Sequence, residues 1–134
     1  MGNRVLIVDD DERQAGLLAS LLESLGWRTR VANCAQEAVG LIRDNPEAVD
    51  ALLLDFWMPV TNGWELSREL IAIDSSFADK VIFVTAGKES TILQMRSQFR
   101  APVLAKPIDS EELVQELGRI TSPAVALRPG GTRS

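Results

Sequence analysis

Residues 52–59 read "LLLDFWMP", and the interpretation of this stretch decides the fold. Leu52, Leu53 and Leu54 form an unbroken apolar run, bounded so closely that it reads as a strand buried on both faces rather than a helix. The run ends on Asp55, and a carboxylate at the tip of a buried strand is costly unless something offsets its charge. Two large apolar residues, Phe56 and Trp57, follow at once.

Working outward, the same motif of apolar run and helical pattern recurs along the chain. Residues 5–8 are a β-branched and leucine run, followed by a helix over 12–25 with Leu18, Leu21, Leu22 and Leu25 on one face. Gly26 stands where a helix C-cap glycine belongs. Residues 28–32 alternate polar and apolar, the pattern of a half-exposed edge strand. Asn33 and Gln36 have capping-box spacing before a helix that presents Ala35, Ala38, Val39 and Ile42 and ends before Pro46. Then come a strand at 51–54, a helix at 64–73, a strand at 81–84, a helix at 88–98 and a short strand at 103–105. The last helix, 111–120, is capped by Asp109 or Ser110 and carries acidic residues in its first turn, where the helix dipole favours them.

Strict alternation of five strands and five helices predicts right-handed crossovers and a parallel α/β sheet covered on both faces. The first, third and fourth strands are continuously apolar and belong in the centre; the second, with Arg28, Thr29 and Arg30, belongs at an edge. The order 2-1-3-4-5 satisfies both conditions, which is the doubly wound, flavodoxin-like five-stranded arrangement. One domain over residues 1–120 is expected, followed by a flexible tail or linker stub at 121–134 that is rich in Pro, Gly and Ser.

Composition narrows the chemistry. A net charge of −5 without a basic block argues against direct nucleic-acid binding. The N-terminal apolar run is too short for a signal peptide or a membrane span. The absence of histidine excludes Ser-His-Asp and Cys-His nucleophiles and every His-ligated metal. The single cysteine, Cys34, excludes an internal disulfide and reads as a small residue near a helix start; a reducing cytoplasm fits.

What remains sits at the carboxyl ends of the strands. Asp9, Asp10 and Asp11 follow the first, Asp55 the third, Thr85 the fourth, and Lys106-Pro107 the fifth. Strands 1, 3, 4 and 5 are neighbours in the expected order, so these residues converge on one rim. Carboxylates 4–6 Å apart repel by about 1–4 kcal/mol per pair, so the cluster calls for protons, a lysine or a cation. Oxygen-only ligands favour a hard ion such as Mg²⁺. A carboxylate nucleophile, a metal, a hydroxyl and a lysine form a set suited to phosphoryl transfer, with Asp55 as nucleophile and Asp9 and Asp10 better placed to hold the metal. Asp11 reads as the cap of the first helix.

The pieces "VLIVDDD", "LLLDFWMPVTNGWEL", "VIFVTA" and "LAKPID" resemble the receiver domain of two-component response regulators over roughly residues 3–120. The resemblance implies that Asp55 accepts a phosphoryl group from a histidine kinase or histidine phosphotransfer protein. It implies that Asp10, Asp55 and the Trp57 carbonyl bind Mg²⁺ directly and Asp9 through water. Thr85 and the Ala86 backbone then hold phosphoryl oxygens, and Lys106 pairs with another. Pro59 and Gly63 shape the loop after the phosphoacceptor, and Lys106-Pro107 is expected to be a cis peptide. The signal would pass to an output domain or a second copy through the face formed by the fourth helix, fifth strand and fifth helix. Trp57, two residues past the phosphoacceptor, is expected to slow loss of the phosphoryl group.

Two departures stand out. Related proteins place an aromatic residue three before the lysine, where this chain has Val103; either another side chain carries the coupling, or the output face at 88–120 changes less. The form "PVLAKP" is similar to receivers attached to hybrid sensor kinases. Two rival readings are a pseudo-receiver that binds proteins without phosphorylation and a Mg²⁺-dependent phosphohydrolase of the haloacid dehalogenase type, for which Asp9 and Asp11 supply a D-x-D.

Overall fold

The computed structural model describes residues 2–121, in which strands and helices alternate as β1 (Arg4–Val8), α1 (Glu12–Ser24), β2 (Arg28–Ala32), α2 (Ala35–Asp44), β3 (Ala51–Asp55), α3 (Gly63–Ile73), β4 (Val81–Thr85), α4 (Glu89–Gln98), β5 (Val103–Ala105) and α5 (Ser110–Thr121). The expected tail at 121–134 lies outside the described residues, apart from Thr121. All strand pairs are parallel, in the order β2-β1-β3-β4-β5. The sequence reading of sheet order and of five helices therefore holds, with two short 3₁₀ turns, Pro46–Ala48 and Ser75–Asp79, added in connections read as loops.

The unbroken apolar strands follow from burial on both faces. On one face Leu6, Val8, Leu52, Leu54 and Phe83 meet α2, α3 and α4 through Ala38, Ile42, Leu66, Leu70 and Ile92. On the other, Val5, Ile7, Leu53, Ile82 and Val84 meet α1 and α5 through Ala15, Leu22, Leu113 and Leu117. Successive strand residues alternate between the two layers, so the central strands are apolar on both faces up to their last residues. β2 alone keeps exposed side chains, Arg28 and Arg30, as befits its edge position.

Local signals set the helix ends. Asp11 accepts the Arg13 and Gln14 amides at the start of α1. At its end the Trp27 N–H bonds Leu22 O and the Gly26 N–H bonds Glu23 O, with Gly26 at φ +98°. Asn62 and Glu65 form a reciprocal capping box on α3, and Asp109 caps α5 through the Glu111 and Glu112 amides. The expected Asn33/Gln36 box on α2 is displaced by one residue. Cys34 is the N-cap, its Sγ accepting from the Glu37 N–H, while the Glu37 carboxylate takes the Asn33 N–H at 2.7 Å. Asn33 is drawn away because its amide group donates to Asp9 O. A helix start one residue later than the spacing suggests is the result.

Candidate phosphoryl-transfer site

Three ladder hydrogen bonds carry the sheet one residue past its apolar runs, and they aim the site. The Asp9 N–H bonds Ala32 O at 3.1 Å, the Phe56 N–H bonds Val84 O at 2.8 Å, and the Lys106 N–H bonds Thr85 O at 2.9 Å. Asp55 and Thr85 are consequently the last residues of β3 and β4, inside the strands rather than after them. Their side chains inherit the rigidity of the sheet.

Asp9 and Asp55 are buried, whereas Asp10 is exposed. Each of these three acids offers a carboxylate oxygen, and the three oxygens lie within 4.8 Å of one another. Lys106 reaches across from β5: its Nζ is 3.3 Å from Asp9 Oδ2 and 3.6 Å from Asp55 Oδ1. The second oxygen of Asp9 accepts the Asp11 N–H at 2.9 Å. Burial pushes the Asp55 carboxyl up to about 6; the Lys106 charge opposes the rise, Asp9 adds to it by charge and hydrogen bonding, and a backbone hydrogen bond from Trp57 opposes it. One lysine does not fully neutralise two buried acids. The donor set, all oxygen, fits a hard divalent cation such as Mg²⁺.

The remaining expected residues fall around this centre. Thr85 is fully buried and its hydroxyl donates to Ala86 O at 2.9 Å, while Ala86 itself is exposed. Lys106-Pro107 is cis. Val103, at the start of β5, is buried, and its carbonyl accepts from Arg96 Nε of α4 at 2.9 Å. Gly63 opens α3 with its N–H on Phe56 O, and a Cβ there would lie 2.8 Å from Asp55 O. Pro59 is exposed, and its carbonyl accepts the Thr61 N–H at 2.8 Å across Val60. With φ at +72°, Val60 is the centre of a tight γ-type turn that a β-branched residue adopts only under strain. Trp57 is 56% exposed, its ring edge-on to Phe56 with centroids 4.9 Å apart.

Some participants carry no motif. Gln14, on the first turn of α1, accepts from Lys106 Nζ at 2.9 Å. Phe99, at the C-terminal cap of α4, has its ring 5.6 Å from Phe56 and 5.4 Å from Phe83, joining the residue after Asp55 to the end of α4. A 340 Å³ cavity borders Asp9, Asp55 and Lys106, lined by Leu17, Leu18 and Leu21 of α1 together with Ile108. Leu17 is 66% exposed on its rim.

Over residues 5–118 the chain matches the model of the response regulator receiver domain. It is 31% identical over 118 residues to Protein PilH of Pseudomonas aeruginosa, covering 87% of this chain and 96% of PilH. Against Transcriptional regulatory protein CpxR of Klebsiella pneumoniae it is 34% identical over 119 residues, which is 88% of this chain and 49% of CpxR; the chain thus spans about half the length of that relative. Its fold matches the structure of a sensor protein from Polaromonas sp. JS666 at a TM-score of 0.75 and 30% identity, covering 90% of this chain and 96% of that one. It also matches the receiver domain of the hybrid histidine kinase CckA at a TM-score of 0.67 and 26% identity, covering 85% and 98%. No helix among the described residues is long and apolar enough to cross a membrane.

Proposed function

The chain belongs to the response regulator receiver domain family of two-component systems, and from that premise we propose that Asp55 accepts a phosphoryl group from the phosphohistidine of a histidine kinase or histidine phosphotransfer protein in a Mg²⁺-dependent reaction. The observation that carries this reading is the meeting of Asp55, Asp9 and Lys106 from three different strand ends within 3.6 Å of the lysine nitrogen.

An Asp55 carboxylate oxygen attacks phosphorus, the donor's P–N bond breaks, and its electron pair leaves on the imidazole, which takes a proton from solvent. Asp9, Asp10, Asp55 and the Trp57 carbonyl would hold Mg²⁺, which when bound offsets the acids and the phosphoryl charge. Lys106 pairs with a phosphoryl oxygen as a point charge. The Thr85 hydroxyl, now on Ala86 O, turns to another, with the Ala86 N–H beside it. The donor approaches over the leucine-lined rim beside Asp55.

The added charge, about −1.5 to −2 by analogy with phosphoserine, changes what Thr85 bonds, and so the turn that leads into α4. That helix has no side-chain cap at Lys88, so its start is the weakly held end. Its other end is tied by Arg96 to Val103 O and by Phe99 to Phe56 and Phe83. In place of an aromatic at position 103, the Phe56–Phe99 contact couples the phosphoacceptor to the α4–β5–α5 face, where an output domain or second copy docks. A cytoplasmic setting, a domain over 1–120 and a kinase-linked partner go with this reading. The phosphohydrolase alternative loses ground because Asp11, its second acid, is engaged in capping α1.

Incubation with Mg²⁺ and acetyl phosphate should add the mass of one phosphoryl group to the wild type and none to Asp55→Asn. If neither acetyl phosphate nor a phosphohistidine donor modifies the wild type, the pseudo-receiver reading replaces this one.

A further inference from the structure

The Lys106 ammonium donates to Gln14 Oε1 at 2.9 Å and to Asp9 Oδ2 at 3.3 Å, and it is ion-paired with Asp55 Oδ1 at 3.6 Å. Charge alone would draw the ammonium into the gap between the two carboxylates. Its shortest contact is instead to the neutral amide, on the side of α1. Lysine can only donate, so it is the amide oxygen that faces it.

Gln14 is itself fixed by the acids it serves. Asp9 Oδ1 accepts the Asp11 N–H at 2.9 Å, Asp11 Oδ1 accepts the Gln14 N–H at 3.2 Å, Gln14 Oε1 accepts Lys106 Nζ, and Lys106 returns to Asp9 Oδ2. The ring of hydrogen bonds closes on itself. The helix cap at Asp11 therefore sets where the lysine stands.

We propose that Gln14 is a positioning residue that holds Lys106 at the margin of the Asp9–Asp55 pair, where the ammonium touches one oxygen of each acid at 3.3 and 3.6 Å and competes less with a divalent cation than a lysine drawn fully between them. This rests on the phosphoacceptor reading above and deepens it. Without the Gln14 oxygen, Lys106 moves further in between Asp9 and Asp55 and competes more strongly with the cation for their oxygens.

The test is Mg²⁺ titration of the full chain by calorimetry, for wild type, Gln14→Leu and Gln14→Glu, each also in the Lys106→Met background. Gln14 is exposed on its helix and leucine is a good helix former, so Gln14→Leu leaves the fold intact. Gln14→Leu should raise the Mg²⁺ Kd about three- to tenfold, the worth of one partly exposed hydrogen bond. Gln14→Glu, which keeps an acceptor, should not raise it, and with Lys106→Met the effect of Gln14→Leu should vanish. With acetyl phosphate, the Mg²⁺ concentration for half-maximal phosphorylation should shift by the same factor, and the rate at saturating Mg²⁺ should stay within about twofold. An unchanged Kd in Gln14→Leu, or an equal shift in the Lys106→Met background, overturns the role of Gln14 while leaving the phosphoacceptor reading standing. A wild type that neither binds Mg²⁺ nor takes a phosphoryl group overturns both.

Discussion

Replacing Gly63 by alanine tests how tightly α3 is set against the end of β3 that carries Asp55. An ideal Cβ on Gly63 would lie 2.8 Å from Asp55 O, 3.0 Å from Phe56 Cα and 3.3 Å from Asp55 C. All three are backbone atoms, so no rotamer change relieves the contact. Carbon atoms pack comfortably at about 3.5–4 Å, so the methyl must retreat by roughly half an ångström or more, taking the start of α3 with it. Overpacking of this kind costs about 1–3 kcal/mol. The Gly63 N–H to Phe56 O bond, 2.8 Å, lengthens in the same movement. Against this, alanine gains at most about 1 kcal/mol of helix propensity, and less at the first helical position. The clash wins: Gly63→Ala should be destabilised by about 1–3 kcal/mol in urea unfolding, and phosphorylation of the displaced Asp55 should slow with it. Gly40→Ala, in α2 with nothing within 4 Å of its Cβ, supplies the control. There the same substitution should stabilise by about 0.5–1 kcal/mol. If Gly63→Ala were as stable as wild type, or shifted in the same direction as Gly40→Ala, the close approach inferred between α3 and β3 would be wrong.

Val60→Gly should relieve the positive-φ turn and stabilise the protein by about 1 kcal/mol net of the added unfolded-state entropy, read as a higher urea midpoint at constant slope. Asp55, at about 6, sits above the 3.8 of an ordinary aspartate, so between those values the native state holds a proton that the unfolded chain has lost. Metal-free stability should therefore decline as pH rises through that window, and Asp55→Asn should remove the slope. For the same reason Mg²⁺ must expel a proton below about pH 6, and its Kd should rise about tenfold per unit of acidification there; a flat Kd between about pH 5 and about pH 7 refutes this. Trp57→Asn should shorten the phosphorylated lifetime several-fold by opening Asp55 to water, and an unchanged decay rate in a chase experiment would show that the exposed indole shields nothing.

The sheet order was legible because burial on two faces and burial on one leave different patterns, and Arg28 and Arg30 mark β2 as the edge. The site was legible because parallel topology forces the ends of β1, β3, β4 and β5 together, so Asp9, Asp55 and Lys106 needed only their places in the chain. What escaped depends on side-chain reach rather than register. Gln14 is one glutamine on an exposed helix turn, and only the direction of Lys106 makes it part of the site. Phe99 lies beyond α4 with no periodicity to announce that it meets Phe56. The α2 cap moved to Cys34 because a tertiary bond to Asp9 O claimed the Asn33 side chain, a competition that local spacing does not register.

β5 is three residues long, pairs among the described residues only with β4, and leads directly into Lys106. Asp9 directly follows β1 and Asp55 ends β3, two strands that pair with each other along their length. A local opening that undocks β5 therefore withdraws the cation and leaves both acids in place. In hydrogen exchange the amides of β5 should open at a lower free energy than those of β1 and β3. Because Asp9 and Lys106 are separated by 97 residues, the lysine also reaches the acids late in any folding order that builds the sheet from its centre. A divalent cation held by the acids would then have a second effect: it would keep the unfinished or transiently opened sheet electrostatically tolerable until its own lysine returns.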